Sequence, residues 1–162
     1  MIAPFSSRFA DGIRDLIVPI QQAEFGIPIT YADQPDLVDI AGFYQKGAGQ
    51  FWVALEDDHV VGTIALLDIG AGEGALRKMF VASAYRGAQH GTAATLLATL
   101  LGHARKNGLH TLYLGTTDKF LAAHRFYEKH GFDLIDPEGL PAAFPRMTVD
   151  SRFYQIRLES AW

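Results

Sequence analysis

The sequence predicts a single α/β domain on a mixed, mostly antiparallel sheet, and three observations carry that prediction. The chain has 162 residues and no repeat, low-complexity tract or Pro/Gly/Ser linker to divide it, which is the length of one ordinary domain. Two runs rich in Val, Ile, Trp and Phe, 50–55 and 59–67, are separated by Glu56-Asp57-Asp58 and read as an antiparallel hairpin. Between Ala75 and Leu114 a strand, a long amphipathic helix and a second strand follow one another, the pattern of a right-handed crossover between parallel strands. Six or seven strands and about four helices are expected in all.

Taken in order, residues 9–24 place Ile13, Leu16, Ile17, Ile20 and Ala23 at helical spacing, with Pro19 set to bend or interrupt the helix. One strand or none precedes them. A second short helix starts near Pro35, because proline suits a first helical turn and Leu37, Ile40, Ala41 and Tyr44 follow three and four apart. After the hairpin, Gly70-Ala71-Gly72-Glu73-Gly74 is a connection to a third strand, 75–81. Ala93, Leu96, Leu97, Leu100, Leu101 and Ala104 form the clearest helical stripe, ended by Asn107-Gly108. A strand at 109–114 and a helix at 118–129 come next, the latter closed by Gly131. Strands 132–135 and 153–158 finish the sheet, joined by a loop holding Pro137, Pro141 and Pro145.

Composition narrows the function. Apolar residues make up 49% of the chain and charged residues 20%, enough for a core at a size that buries roughly 70% of its unfolded surface. Disorder is thereby excluded for most of it. The 14 basic residues against 18 acidic ones, with no Lys/Arg cluster, speak against a dedicated nucleic-acid binder and fit a cationic small-molecule substrate better. Without cysteine there is no disulfide framework, thiolate metal cluster or cysteine nucleophile. Arg8, Asp11, Arg14 and Asp15 stand where a secretory signal would be apolar. The uncharged-looking run 87–104 is too polar for a bilayer, so a soluble, cytoplasmic protein is expected. His124 and Glu128 are the close ligand-type pair on one helix face, and with no third ligand no metal is expected.

Ligands of a parallel crossover bind beyond the carboxyl ends of its strands. There the chain reads Tyr85-Arg86-Gly87-Ala88-Gln89-His90-Gly91-Thr92 and runs straight into the long helix. Free N–H groups at a helix start, the positive end of its dipole, two glycines and Arg86 suit a phosphate. The chain lacks Gly-x-x-x-x-Gly-Lys-Ser/Thr and Gly-x-Gly-x-x-Gly, and no acidic residue between Gly91 and Thr111 could hold a ribose. A P-loop nucleotidase and a dinucleotide fold are therefore disfavoured.

Met79-Phe80-Val81, then Tyr85-Arg86-Gly87-x-x-x-Gly91, Leu96-Leu97, Ala104-Arg105, Gly108 and Phe126-Tyr127-Glu128-Lys129-His130-Gly131-Phe132 together resemble the GNAT superfamily of N-acetyltransferases. The resemblance covers about half the chain, and Gln89 stands where the pattern's middle glycine is usual. It implies that the two crossover strands splay, and that acetyl-CoA is the co-substrate, its pyrophosphate held by Arg86, Gly87, Ala88, Gln89, His90, Gly91 and Thr92. Met79, Phe80 and Val81 would orient the pantetheine arm and acetyl carbonyl, with Phe120 and Ala123 bordering the cofactor. A backbone N–H there would stabilise the oxyanion, and Tyr127 would protonate the departing thiolate.

An acceptor ammonium must lose a proton before it attacks. Strand 75–81 offers no carboxylate for this, so Glu24 is the first candidate base, Asp68 and Glu73 stand behind it, and a water chain serves equally. The resemblance implies direct acetyl transfer in a ternary complex to a primary amine of a small molecule, amino acid derivative or peptide, with a homodimer as an option and no nucleic-acid or membrane partner. A non-catalytic acyl-CoA sensor and an enzyme acting on a protein N-terminus or lysine are the rivals. A polycation acceptor would call for Asp33, Asp36, Asp39, Asp57, Asp58 and Asp68 to form an acidic rim.

Overall fold

A computed structural model describes residues 1–118, 121–147 and 149–158. Within them the strands β1 (Ile2–Pro4), β2 (Gln50–Glu56), β3 (His59–Gly70), β4 (Glu73–Val81), β5 (Thr111–Thr116), β6 (Asp133–Ile135) and β7 (Arg152–Arg157) form one sheet, ordered β1-β2-β3-β4-β5-β7-β6. The β4–β5 pair at its centre is parallel and the other neighbours are antiparallel, as the hairpin and the crossover dictate. In the β2–β3 turn Asp57 and Asp58 both take positive φ, 48° and 64°, the two-residue geometry whose twist matches the flanking strands.

The helices are α1 (Ala10–Pro19), α2 (Pro35–Val38), α3 (Ile40–Tyr44), α4 (Thr92–Lys106) and α5 (Leu121–Lys129). Pro19 does interrupt the first helix. Beyond it the chain widens into a π turn, Ile20–Glu24, with Phe25 N–H bonded to Ile20 O at 3.1 Å. The helix expected from Pro35 divides in two at Asp39, whose φ of −134° and ψ of 75° leave the helical region while its carboxylate caps Gly42 N–H at 3.0 Å. That division accounts for five helices where about four are expected. β4 begins at Glu73, two residues earlier than expected, so the strand does carry a carboxylate.

Two helical layers cover the sheet. The α4 stripe of Leu96, Leu97, Leu100 and Ala104 is buried with Tyr127 of α5 against Ile64, Leu66, Leu76, Leu112 and Leu114. On the opposite face Ile13 and Ile17 of α1 pack with Leu37, Ile40 and Tyr44 against Phe51, Val53 and Ala65. Beside them Phe144, from the β6–β7 connection, covers Ala75, Tyr113 and Phe153.

Two departures from regular sheet position everything that follows. The β4–β5 pairing is confined to Glu73–Ala75 against Thr111–Tyr113, so the two strands part beyond Ala75 and Tyr113. In β4 a bulge opposite Thr63 and Ala65 shifts the register against β3, and Lys78 sits at its apex with φ +52°. A left-handed lysine costs about 1–2 kcal/mol. The bend it produces turns β4 away from β5, and Thr63 Oγ1 donates to the displaced Lys78 carbonyl at 2.7 Å.

Candidate functional site

The turn between β4 and α4 takes its shape from its glycines. Left-handed φ falls on Gly87 (100°) and Gly91 (65°), so Gln89 is accommodated without the conformation that a glycine alone would favour. Its side-chain oxygen lies 2.8 Å from where a Cβ on Gly87 would stand. Gly91 is the N-cap of α4 and no side chain caps that end. The first intrahelical bond runs from Thr95 N–H to Gly91 O at 2.9 Å, leaving the N–H groups of the first turn without intrahelical partners. Nothing lies within 4 Å of a would-be Cβ on Gly91, and Ala88, Gln89 and His90 are exposed. The result is an open, donor-rich helix end of the kind that takes an anion.

Arg86 anchors this turn from behind. Its Nε donates to Val81 O at 2.8 Å, tying the turn to the end of β4, and its two terminal nitrogens grip both oxygens of Glu24, the second at 2.8 Å. The Arg86 hydrogen bond holds the Glu24 carboxyl below its usual range, against a smaller opposing effect of burial. The two residues singled out for different tasks are thus partners, and an ionised, doubly bonded carboxylate is a weak proton acceptor.

Where β4 and β5 part beyond Ala75 and Tyr113, the sheet has a gap, the slot, with a different set of side chains on each face. On the α4/α5 side Met79 packs into the core beside Val81, and Thr116 Oγ1 at the end of β5 is buried with no hydrogen-bond partner among the described residues. A polar arm lying in the slot would satisfy it. Tyr127 sits on the same side, 5% exposed, among the rings of Phe126, Phe132 and Tyr154. Burial pushes its hydroxyl far above the ordinary tyrosine value, so it is a proton donor throughout the neutral range. Among the described residues that hydroxyl has no hydrogen-bond partner. Ala123 packs partly buried beside this cluster, and Phe120 lies outside the described residues.

The opposite mouth of the slot holds a cluster of charges. Regular alternation would send Arg77 and Lys78 to opposite faces, but the bulge puts both on the α1–α3 side. Both reach one carboxylate: Asp36 Oδ2 lies 3.5 Å from Lys78 Nζ and 3.9 Å from Arg77. Tyr44 donates to the same oxygen at 2.6 Å. Lys78 Nζ also donates to Gln34 Oε1 at 2.6 Å, and Gln34 is paired with Gln21 of the π turn. The Arg77 guanidinium lies over Phe43, 5.6 Å from the ring centre. Asp150 closes the cluster from the β6–β7 connection, its Oδ2 accepting from Met147 N–H at 3.1 Å. Burial raises its carboxyl above the ordinary value, opposed first by that N–H and then by Arg77, Arg146 and Lys78. Burial likewise lowers the Lys78 ammonium, with Asp36 pulling it back.

The other carboxylates considered as bases or as an acidic rim serve locally. Asp68 accepts from Ala48 and Gly70 N–H, Glu73 takes the Tyr113 hydroxyl at 2.9 Å at the closed end of the β4–β5 pair, Asp33 holds the Thr30 turn and Asp39 caps α3. Asp57 and Asp58 are in the hairpin turn, and Asp36 is buried among cations, so no acidic rim forms. His124 Nε2 bonds Thr117 O at 2.9 Å and Glu128 accepts from Tyr154 at 2.5 Å, so that pair is engaged structurally. Sequence reasoning missed Arg77, Lys78 and Asp150. Two adjacent basic residues inside an otherwise apolar strand were the available signal, since such a pair breaks alternation unless a bulge intervenes.

Comparison with known proteins agrees with this architecture. The sequence profile described as the Acetyltransferase (GNAT) family matches residues 14–132. An acetyltransferase of the GNAT family from Staphylococcus aureus Mu50 superposes with a TM-score of 0.94 at 36% identity, covering 98% of this chain and 99% of that one. An acetyltransferase from Streptococcus agalactiae 2603 follows at 0.92 and 33%, with 98% of each chain covered. N-acetylaspartate synthetase of Danio rerio is 36% identical over 129 residues, 75% of this chain and 44% of that protein. The chain thus spans less than half the length of that curated relative. No helix among the described residues is long and apolar enough to cross a membrane.

Proposed function

This chain belongs to the acetyltransferase (GNAT) family, and from that membership we propose that it transfers the acetyl group of acetyl-CoA to the primary amine of a small molecule by direct attack in a ternary complex. The observation that supports the reading is the gap between β4 and β5: the β4 bulge and the confinement of β4–β5 pairing to three residue pairs leave β4 unpaired on that side between the glycine turn at the α4 start and the charged mouth, room for the cofactor's arm. The turn's N–H groups, from Gly87 to Thr92, bind the pyrophosphate. Arg86 holds the turn in shape through Val81 O and offers its guanidinium to phosphate in exchange for Glu24.

The unpaired edge of β4 at Met79–Val81 aligns the pantetheine arm, and a backbone N–H near Met79 faces the acetyl carbonyl, where it stabilises the negative charge that develops on oxygen. The amine approaches from the charged mouth, on the other side of the sheet from Tyr127. As the N–C bond forms and the C–S bond breaks, Tyr127 gives its proton to the sulfur. With Glu24 held by Arg86, Asp68 spent on backbone N–H groups and Glu73 at the closed end of the strand pair, water carries the amine's proton away. The similarity to N-acetylaspartate synthetase favours a small-molecule acceptor over a protein.

Calorimetric titration with acetyl-CoA, followed by amine-dependent thiol release, tests the reading. Tight acetyl-CoA binding with amine-dependent release of CoA supports it. Binding without transfer to any amine would make the chain an acyl-CoA sensor, and no binding at all would sink the proposal.

A further inference from the structure

We propose that the acceptor is an amine that also carries a carboxylate, a free amino acid, with its carboxylate held by Arg77 and Lys78 and its ammonium by Asp150. The inference rests on the acetyl-transfer reading and deepens it by naming what the charged mouth of the slot recognises. It reverses the cationic acceptor that the overall acidic composition suggests.

Three observations carry it. The first is the bulge. A left-handed lysine in mid-strand is unfavourable, and its effect is to bring two cations onto one face at the slot, where alternation would have separated them. Both side chains are largely buried, 13% exposed for Arg77 and 7% for Lys78, a costly arrangement unless anionic partners are supplied.

The second is the charge balance. Arg77, Lys78 and Arg146 bring three positive charges toward Asp36 and Asp150. Asp36 is already shared between two of those cations and the Tyr44 hydroxyl. The mouth therefore has one cation in excess, which an amino acid balances once its amine is deprotonated for attack and only its carboxylate is charged, and which a polyamine would aggravate.

The third is the placement of Asp150. Its carboxylate lies directly over Gly115 of β5, with Oδ2 2.5 Å from where a Cβ would stand, so only glycine leaves room for it there. Lys78 is on β4 and Gly115 on β5, the two strands that border the slot. Cations and carboxylate thus flank the opening from its two sides, as the tail and head of an amino acid require. This orientation directs the amino group, once deprotonated, at the slot through which the acetyl carbonyl is reached.

The test compares paired acceptors with the intact chain, acetyl-CoA and a thiol-release assay: aspartate, glutamate and alanine against their amides, with ethylamine and spermidine alongside. The best amino acid should exceed its α-amide by about a hundredfold or more in kcat/KM, because a site built around a polar group rejects the analogue lacking it. Lys78→Met and Arg77→Met should each raise KM for that amino acid about tenfold or more with no change in the acetyl-CoA dissociation constant. Lys78→Arg should recover most of the loss, and Asp150→Asn should weaken amino acids and simple amines alike. Amides or spermidine turned over as well as amino acids would overturn the clamp and leave the transferase reading standing. Acetyl-CoA binding with no amino acid acetylated would overturn it as well, and failure to bind acetyl-CoA would overturn both. Should the methionine variants not fold, the acid-against-amide comparison on the unaltered chain decides the matter alone.

Discussion

The glycine turn before α4 and the charged mouth over the β4 bulge are separated by a few residues of one strand, yet they are built in opposite ways. The turn works through backbone: positive φ at Gly87 and Gly91, an uncapped helix end, and exposed side chains at Ala88, Gln89 and His90. The mouth works through buried side-chain charge, drawn from α2 (Asp36), β4 (Arg77, Lys78) and the β6–β7 connection (Asp150). A backbone device depends on a contiguous stretch, and its shape tolerates change in side chains such as Gln89, which is not among the residues with positive φ. A device of buried charges depends on segments far apart in sequence, and the loss of any one member leaves the others unpaired.

Substitutions should therefore cost far more at the mouth than at the turn. The largest effect is expected for Asp36→Ala, which strips Lys78, Arg77 and Tyr44 of a shared partner. Breaking a buried ion pair costs about 3–5 kcal/mol, to be read from urea denaturation midpoints. A loss under about 1 kcal/mol, the scale of an exposed pair, would mean that water reaches the cluster and that its burial is not what separates it from the turn.

Next is Tyr127→Phe, which should lower kcat by about a hundredfold or more with acetyl-CoA affinity and stability nearly unchanged, since the hydroxyl has no partner among the described residues. Burial raises the Tyr127 hydroxyl, so the effect should be the same from neutral to mildly alkaline pH. A kcat deficit that fades as pH rises would point to an ionising tyrosine and against this role.

Smaller again is Arg86→Ala, expected to weaken acetyl-CoA binding by about tenfold as one charge-assisted contact and the anchor to Val81 O are lost. Glu24→Gln should tighten it by a smaller factor, because the guanidinium is freed for phosphate. Calorimetry on both variants separates a guanidinium that meets phosphate from one that only braces the turn: in the second case Glu24→Gln leaves affinity unmoved.

The smallest effect concerns the Glu24–Arg86 pair and pH. The Glu24 carboxyl is held below its unfolded value of 4.5, so its contribution to stability is complete above that value and is lost as pH falls through the lower folded value. Both side chains are 37% exposed, which confines the contribution to a fraction of a kcal/mol. The difference in denaturation midpoint between the unaltered chain and Glu24→Gln should shrink on acidification and with added salt. A difference that instead grows in acid would contradict the pairing.

How far the sequence could be read follows the same division. The α4 stripe, the β2–β3 hairpin, the crossover and the glycine turn are local patterns, so periodicity and turn chemistry sufficed to find them to within about three residues. The extra helix boundary at Asp39 was obscured because Asp39 acts as a cap in the middle of an apolar pattern, and the early start of β4 because glycines flank Glu73. Arg86 and Glu24 were both noticed for reasons that omit their contact, since 62 residues separate them and only the packing of the π turn against the α4 start brings them together.

The sequence by itself determined the fold class, the parallel pair and the glycine-rich helix start, because each is carried by contiguous residues whose spacing has a direct physical reading, and its motifs carried the resemblance to the family. Only the tertiary structure decided the bulge at Lys78, the common face of Arg77 and Lys78, and the seat of Asp150 over Gly115. A bulge inverts the alternation on which strand reading rests, and a buried charge cluster exists only once separate elements have packed around it.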